Sequence, residues 1–580
     1  MFIRTVETKG ETYVRIVENL YINGKHTQRT IANLGNLKLQ KENLIKIIYG
    51  LKKLVHEQLY SPDEIDPEAG LEYGSIYVAE KLWEEVGLKN MLEKYFSKGA
   101  KTAKEIYAKV MVLNRLSEPK SKLGIFRWLE NVWIDGLEFK KELTKEESKK
   151  LVEIFYKTLD YIEKFKEKLE KELYYNIRNL FSLKVDIVFY DLTSTYFEGE
   201  GPEEIAKLGK SRDSKSRNKQ IIIGLIMCAG LPIGHHIFEG NRADKKTVEE
   251  VVEDLRARFE INRCIFVGDR GIVSKKVIEF LEDKEYEYIV ALRRRRSLET
   301  AKAIEIELTE ADRIAEFSKE ATITNPDKEE NFYAKEVGGA DAVGADEWGL
   351  ASKEGRRLIL CLNSKRAKEE AIKRAEKIAK VKEELEELAE SVKNGNRVTE
   401  KPITERATRI LSHHNGSRYF RYRVSGKGKF SFEENEEKLE YEKKLDGKFV
   451  LLTNNKLFPV KEIVKTYKEL SEIEMAFKEL KDFLRIRPIY HYREKRVRSH
   501  VVICVWAYLL EKILEQKLKG AQLDISAREA LKSLGKIRMI PTKLAGKQFL
   551  YTTKLDWKNS KILKAVGLSD PPRLIEVKNH

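Results

Sequence analysis

The chain has 580 residues, with 110 Lys and Arg against 94 Asp and Glu, for a net charge of +16. That length exceeds what one core serves, so roughly two to four domains are expected, and 42% hydrophobic with 35% charged residues excludes a largely disordered chain. The four cysteines lie far apart and read as reduced core residues, which excludes a disulfide framework or zinc site; no stretch approaches a membrane span or signal peptide, and the basic balance points to a polyanionic partner.

Residues 1–45 alternate and turn at Asn23-Gly24, a hairpin signal joining 12–21 to a basic strand through Arg29 and Ile31. Lys25, His26 and Arg29 there suit either phosphate contact or a solvated edge. From 46 to 180 the pattern is helical, with Ile76, Ala79, Leu82, Trp83 and Val86 at three- and four-residue spacing. Segments 103–116 and 121–133, joined through Pro119, suit a helix-turn-helix-like pair carrying Arg115, Lys120, Lys122 and Arg127; the same letters describe a plain helix pair with a basic face. Residues 145–180 read as one long amphipathic helix.

The period changes over 181–295. The run 185–196 is apolar, aromatic and β-branched, a strand packed on both faces, and it delivers Asp191. The run 264–269 repeats the arrangement, closing on Gly268 and Asp269. Between them come a charged loop (198–219) with Lys210, Arg212, Lys215, Arg217 and Lys219, two strands (221–228 and 233–238), and Asp244, which reads as a helix N-cap. A helix at 274–281 and a strand at 288–292 complete an order of three strands, helix, strand, helix, strand, which fits a mixed sheet with flanking helices. If the two acid-bearing strands are neighbours, they offer two carboxylates to one crevice.

Residues 296–447 interrupt the pattern. The interruption follows the basic run Arg293 to Arg296, contains a strand at 358–362 and a helix at 365–392 with Glu and Lys at four-residue spacing, and carries Arg418-Tyr419-Phe420-Arg421-Tyr422-Arg423, which suits nucleic acid or a two-faced strand equally. Over 448–495 the pattern resumes with a strand at 449–453 and one helix from about 460 to 484. Tyr467, Leu470, Glu474, Phe477 and Lys481 share one stripe of it, which leaves Glu472 and Glu479 facing solvent. An acid on a core-facing stripe is costly unless it meets a cation or metal. In 496–580, residues 501–510 read as a buried helix and the remainder as amphipathic.

Asp191, Asp269 and Glu474, 78 and 205 residues apart, form an oxygen donor set suited to magnesium or manganese. Two such ions activate a water or hydroxyl in phosphodiester cleavage.

These segments resemble the DDE transposases of bacterial and archaeal insertion sequences, in the superfamily named after insertion sequence four and its sixteen-thirty-four branch. The residues that carry the resemblance are Tyr190-Asp191-Leu192-Thr193-Ser194-Thr195-Tyr196-Phe197-Glu198, Gly240-Asn241 with Asp244 and Thr247, Gly268-Asp269-Arg270-Gly271-Ile272-Val273-Ser274, Ile473-Glu474-Met475-Ala476-Phe477, and Leu484 to His491. The superfamily's Tyr-Arg-Glu-Lys signature falls on Tyr467, Leu470, Glu474 and Lys481; Leu stands where the signature has Arg, and Arg485 or Arg487 are candidates to replace that contact. The resemblance implies an α/β, ribonuclease-H-like (retroviral-integrase-like) catalytic core interrupted by a mainly β insertion domain, with a mostly helical N-terminal region and a helical C-terminal region. It implies Asp191, Asp269 and Glu474 as catalytic ligands of two Mg²⁺ ions per site, with Mn²⁺ as substitute. Tyr467, Lys481, Arg485, Arg487, Arg293 and Arg294 are the candidate DNA contacts, and Trp348, the one tryptophan of the insertion, is a candidate to stack on a flipped base or to pack. The implied function is end cleavage and joining of the 3′ ends to target DNA, by a nucleoid-associated cytoplasmic homodimer acting on terminal inverted repeats. The alternatives are a ribonuclease-H-fold endonuclease without strand transfer and a catalytically silent DNA-binding descendant; three intact acids argue against the last.

Overall fold

The computed structural model describes residues 1–22, 24–36, 41–54, 65–96, 105–137, 144–182, 187–213, 215, 217–261, 264–294, 298–319, 330–337, 355–395, 399–425, 429–544 and 547–577. Trp348, Arg295 and Arg296 lie outside the described residues.

Eight strands form the central sheet, in the order Phe332–Glu336, Arg357–Asn363, Lys448–Thr453, Glu287–Ala291, Ile265–Gly268, Ile187–Tyr196, Gln220–Cys228, Leu231–Glu239. Ile265–Gly268 runs parallel to both of its neighbours, and the other pairings are antiparallel. The central strands are apolar throughout because both faces are covered. Val188 and Tyr190 join the core formed with the Thr247–Ala257 and Lys275–Asp283 helices, whereas Phe189 joins the core shared with the Lys145–Leu180 and Glu494–Gly520 helices. Ala229 (φ 49°) and Gly230 (φ 75°) close the hairpin between Gln220–Cys228 and Leu231–Glu239, the left-handed pair that a two-residue turn requires. Thr144 and Glu147 form a capping box that starts the Lys145–Leu180 helix.

The N-terminal strands Phe2–Thr8, Glu11–Ile22 and Lys25–Asn36 form a separate antiparallel sheet. The helix-turn-helix reading is corrected: after Glu105–Ser117 comes only the five-residue helix Ile125–Leu129. Arg115 and Lys122 are buried instead of presented, and the Arg115 guanidinium donates to the carbonyls of Lys120, Leu484 and Arg485. All four cysteines are free and buried. No helix among the described residues is long and apolar enough to cross a membrane.

Two further expectations are corrected. The 296–447 interruption is not mainly β among its described residues: the helices Ser364–Lys393, Glu400–His413 and Glu436–Lys444 outweigh its strands, and two of those strands, Phe332–Glu336 and Arg357–Asn363, extend the central sheet. Its long Lys- and Glu-rich helix was visible in the letters; the β expectation came from the resemblance alone. The C-terminal region is also not all helical, since Arg538–Leu544, Lys547–Thr552 and Leu574–Val577 form a sheet that Ile65–Pro67 and Leu71–Glu72 complete. These strands are short, and the first carries Pro541, which obscures the alternation. The basic-aromatic run is an ordinary two-faced strand, Phe420–Ser425, with Phe420 buried and Arg421 paired to Glu433 at 2.9 Å.

Glu511 sits on the buried Glu494–Gly520 helix, 3% exposed, with Oε2 lacking a hydrogen-bond partner among the described residues. Burial first, then Glu479 and Glu515, push its carboxyl up to about 8. A carboxyl raised in the folded state contributes stability that is full below the unfolded value and is lost as pH rises through the folded one. We expect thermal stability to fall between about pH 4.5 and 8, and Glu511→Gln to flatten that fall and stabilise by on the order of 1 kcal/mol at pH 8; an unchanged profile in calorimetry assigns the pH dependence to other groups.

Candidate active site

The strand register brings the first two acids together. In the parallel pairing Phe189 lies opposite Val267, so two residues further on Asp269, just past its strand end, stands beside Asp191, which lies in mid-strand and not at a strand end as expected, with strand axes about 4.8 Å apart. The turn after Asp269 is built around its carboxylate: Oδ1 accepts the backbone N–H of Gly271 at 2.6 Å and of Ile272 at 3.3 Å. A Cβ at position 271 would sit 2.9 Å from that oxygen, and one at 268 would collide with Ile272. Both glycines are therefore dictated by how closely the chain folds over the acid.

Glu474 comes from the Ser471–Asp482 helix, which packs on the Ile187–Tyr196 strand through Ile473, Ala476, Phe477 and Leu480. The single helix expected over 460–484 is in fact two, Val460–Glu469 and Ser471–Asp482, meeting at buried Leu470. The break puts Glu474 in a first helical turn, where the unpaired N–H groups favour an anion. Glu472 and Glu479 do not face solvent as expected; both are half-buried, and Glu479 bonds Arg528 at 2.9 Å. Glu474, expected on a core-facing stripe, is exposed instead, and Glu479 turns toward the C-terminal helices.

A cleft of about 380 Å³ is lined by Asp269, Arg270, Arg294, Arg366, Tyr467, Lys468 and Glu474, among others. Asp191 is not one of its walls, yet the acids sense each other. Burial first, then Asp269 and, more weakly, Glu474 push the Asp191 carboxyl up to about 7, against the opposing pull of Arg212. Among the described residues no three His, Cys, Asp or Glu side chains stand close enough to hold a metal ion as they are. The donor chemistry nevertheless fits a divalent cation, because a buried carboxyl raised by like charges is the group whose penalty a bound cation removes.

The candidate DNA contacts divide. Tyr467 lines the cleft, its ring 5.8 Å from Phe449, and burial and then Asp269 hold its phenol protonated. Arg294 is engaged internally, bidentate to Glu370 at 2.7 and 2.8 Å and donating to the Leu445 carbonyl; Arg293 donates to the Arg270 carbonyl at 3.3 Å. Lys481 and Arg487 converge on Asp213 of the 198–219 loop: its Oδ1 takes the ammonium at 2.7 Å and the guanidinium at 2.5 Å. The Asp213 side chain is 4% exposed and its Oδ2 has no hydrogen-bond partner among the described residues. Arg485 is exposed.

Four groups escaped the sequence reading as site residues. Arg270, Arg366 and Lys468 line the cleft, and Arg212 bonds Asp244 at 3.0 Å beside a second cleft of about 450 Å³. Arg270 follows Asp269 and was findable; Arg366 lies near the start of a helix whose repeated Glu and Lys gave no sign that a basic residue there reaches a cleft. The N-cap assignment of Asp244 is corrected by the same contact. Asp244 opens a 3₁₀ turn, the helix starts at Thr247, and the carboxylate makes no cap bond because it is held by Arg212.

Acids on adjacent parallel strands, a third on a packed helix and a basic rim make up the candidate site. Residues 186–510, more than half of the chain, match the family model described as Transposase DDE domain, so the chain belongs to that family and is a DDE-type DNA transposase. Residues 3–63 match the N-terminal domain of IS1634 family transposases, which assigns the chain to the IS1634 group. A search of curated proteins returned no match. Among solved structures the chain is similar to "Cryo-EM structure of piggyBac transposase synaptic complex with hairpin DNA (SNHP)", at TM-score 0.36 and 10% identity over 80% of this chain and 79% of that one, a level that says nothing of mechanism. Membership in the DDE family carries a general dependence on divalent metal and DNA as partner.

Asp213 neutralises two cations of the candidate DNA surface. Asp213→Asn is expected to tighten duplex binding roughly three- to tenfold near 0.1 M salt and to steepen the log–log salt dependence by about one, read by fluorescence anisotropy across about 50–200 mM salt. An unchanged slope would mean that neither cation meets DNA.

Proposed function

We propose that this transposase cuts DNA at the terminal inverted repeats of its own element and joins the freed 3′ hydroxyls to target DNA, with Asp191, Asp269 and Glu474 holding two Mg²⁺ ions, for which Mn²⁺ substitutes. The observation that carries the reading is the register that sets Asp191 beside Asp269, with the Glu474 helix packed on the same strand. A ribonuclease-H-like core is supported by the strand order: three consecutive antiparallel strands, then two strands added parallel on the side of the first. Holding two element ends at once favours a homodimer.

Bound divalent ions supply a deprotonated water or hydroxyl and offset charge on the leaving oxygen. The chain's own residues supply position. Gly271 and Ile272 fix the rotamer of Asp269 through two N–H donors. Tyr467, kept protonated, is a hydrogen-bond donor to a phosphate oxygen, and Arg270 and Arg366 on the same wall add positive potential where that phosphate lies. Lys481 and Arg487 extend the track once Asp213 is exchanged for phosphate.

The test is a plasmid carrying element ends, assayed with Mg²⁺. Wild type is expected to cut and join. Asp191→Asn, Asp269→Asn and Glu474→Gln are each expected to lose on the order of 10²- to 10³-fold in both steps while still binding DNA. Cutting without joining would move the reading to an endonuclease, and activity surviving all three substitutions would remove the site assignment.

A second readout needs no catalysis. Mn²⁺ is expected to raise the unfolding temperature of wild type in a concentration-dependent way. Asp191→Asn, which removes a disfavoured buried charge, is expected to raise it without metal and to blunt the response to Mn²⁺; an equal response in both proteins would take Asp191 out of the metal site.

A further inference from the structure

The segment that follows the Glu474 helix is joined to the far end of the strand that carries Asp191. The Ile489 N–H donates to the Tyr196 carbonyl at 3.0 Å, and the Glu198 N–H donates to the Ile489 carbonyl at 3.0 Å. Position 196 lies five residues beyond Asp191, or about 16 Å along a strand. From Ile489 the side chains alternate. Ile489 is buried, and His491 is tucked inward, its ring 5.3 Å from buried His500 and 6.0 Å from Tyr156. Tyr490 and Tyr492 are thereby driven outward, 61% and 71% exposed.

Two large aromatic side chains standing this far into solvent, two residues apart along one segment, are not part of the core, although the Tyr492 ring borders the turn at Gly199. Neither phenol has a hydrogen-bond partner among the described residues, so neither is bare for the sake of a buried polar contact. The surroundings are basic. Arg485 and Arg493 on the same segment are exposed, and Lys215 of the facing loop reaches to 6.0 Å from the Tyr196 ring. Acids of the same region are Glu198, Glu200, Asp482 and Glu494; Glu200 is paired with Lys219 at 2.6 Å, Asp482 with Arg487 at 3.2 Å and Glu494 with Arg498 at 2.7 Å. Rings that present a π-face beside cations that attract a backbone are the chemistry of sequence-tolerant single-strand binding.

We propose that Tyr490 and Tyr492 form a stacking platform for unpaired bases of the DNA strand that runs on from the active site. The inference rests on the transposase reading and adds to it a place where DNA opened next to the cut is held. His491 sets the spacing: kept uncharged by burial and by Lys122 and Arg115, it behaves as an inward anchor, and the two tyrosines present their rings on the same side. A stacking role asks only for an aromatic face, so the phenol oxygens are dispensable and the rings are not.

The test uses the full chain and two fluorescent probes, an oligo-dT of about ten nucleotides and a blunt duplex of the element end. Wild type is expected to bind both. The double variant Tyr490→Ala/Tyr492→Ala is expected to lose roughly five- to fiftyfold on the single strand and to keep duplex affinity within about twofold. Tyr490→Phe/Tyr492→Phe is expected to behave as wild type, and the corresponding Leu pair as the Ala pair. Single-strand binding unchanged in the Ala pair overturns the platform, as does a Phe pair that loses as much as the Ala pair. Wild type that binds duplex but not the oligonucleotide also overturns it, whereas wild type that binds neither removes the DNA reading itself. If light scattering shows the Ala pair changing oligomeric state with single-strand binding intact, these rings form an interface between copies and the proposal fails.

Discussion

Two carboxylates that repel each other are held side by side by a backbone ladder. Phe189 opposite Val267 sets the register between two parallel strands, and a slip of one residue would turn Asp191 to the other face of the sheet. The ladder is cooperative and buried on both sides, so the repulsion acts on side chains whose backbones cannot move apart. The rest of the site answers to that constraint: Gly268 and Gly271 let the chain close over Asp269, and the Ser471–Asp482 helix brings its acid to the same strand.

The sheet in turn depends on the segment that interrupts it. Lys448–Thr453 lies between Glu287–Ala291, which precedes the interruption, and Arg357–Asn363, which belongs to it. Glu370, on the long helix of the interruption, takes both guanidinium nitrogens of Arg294 and the Gly447 N–H, and this partnership holds its carboxyl down to about 2. One carboxylate thus staples the point where the chain leaves the core to the point where it returns. The interruption is therefore part of the folding unit of the core, and Arg294 is engaged in that staple.

How much of this was legible followed the range of the interactions. The strands and the acid that follows Gly268 were readable because burial on both faces writes a continuous apolar run and a charge breaks it; Asp191 was not the strand end its charge suggested, since the strand runs on through it to Tyr196. The break at Leu470 was not, since neither glycine nor proline marks it and the stripe through Tyr467 and Lys481 continues across it. Charge was the least legible quantity. The net +16 was a fair pointer to a polyanion, yet it did not distinguish Arg115, spent on three carbonyls, or Lys481 and Arg487, spent on Asp213, from cations open to a phosphate. Pairing is a tertiary property, and Asp213 lies hundreds of positions from the residues it neutralises.

Position 470 shows the same logic from the site's side. Leu470 is buried where the helices meet, packed in the main core, and a guanidinium there would need a buried partner that an apolar environment does not offer. The cleft is positive all the same, because Arg270 reaches it from the turn after Asp269, Lys468 from the Val460–Glu469 helix and Arg366, which shares Glu370 with Arg294 and bonds it at 3.0 Å, from the long helix of the interruption. Arg366 reaches the cleft only when the interruption is docked, so the potential beside Asp269 and Glu474 is complete only in the assembled sheet. The geometry that keeps two acids together and the charge that balances them are products of the same folding event.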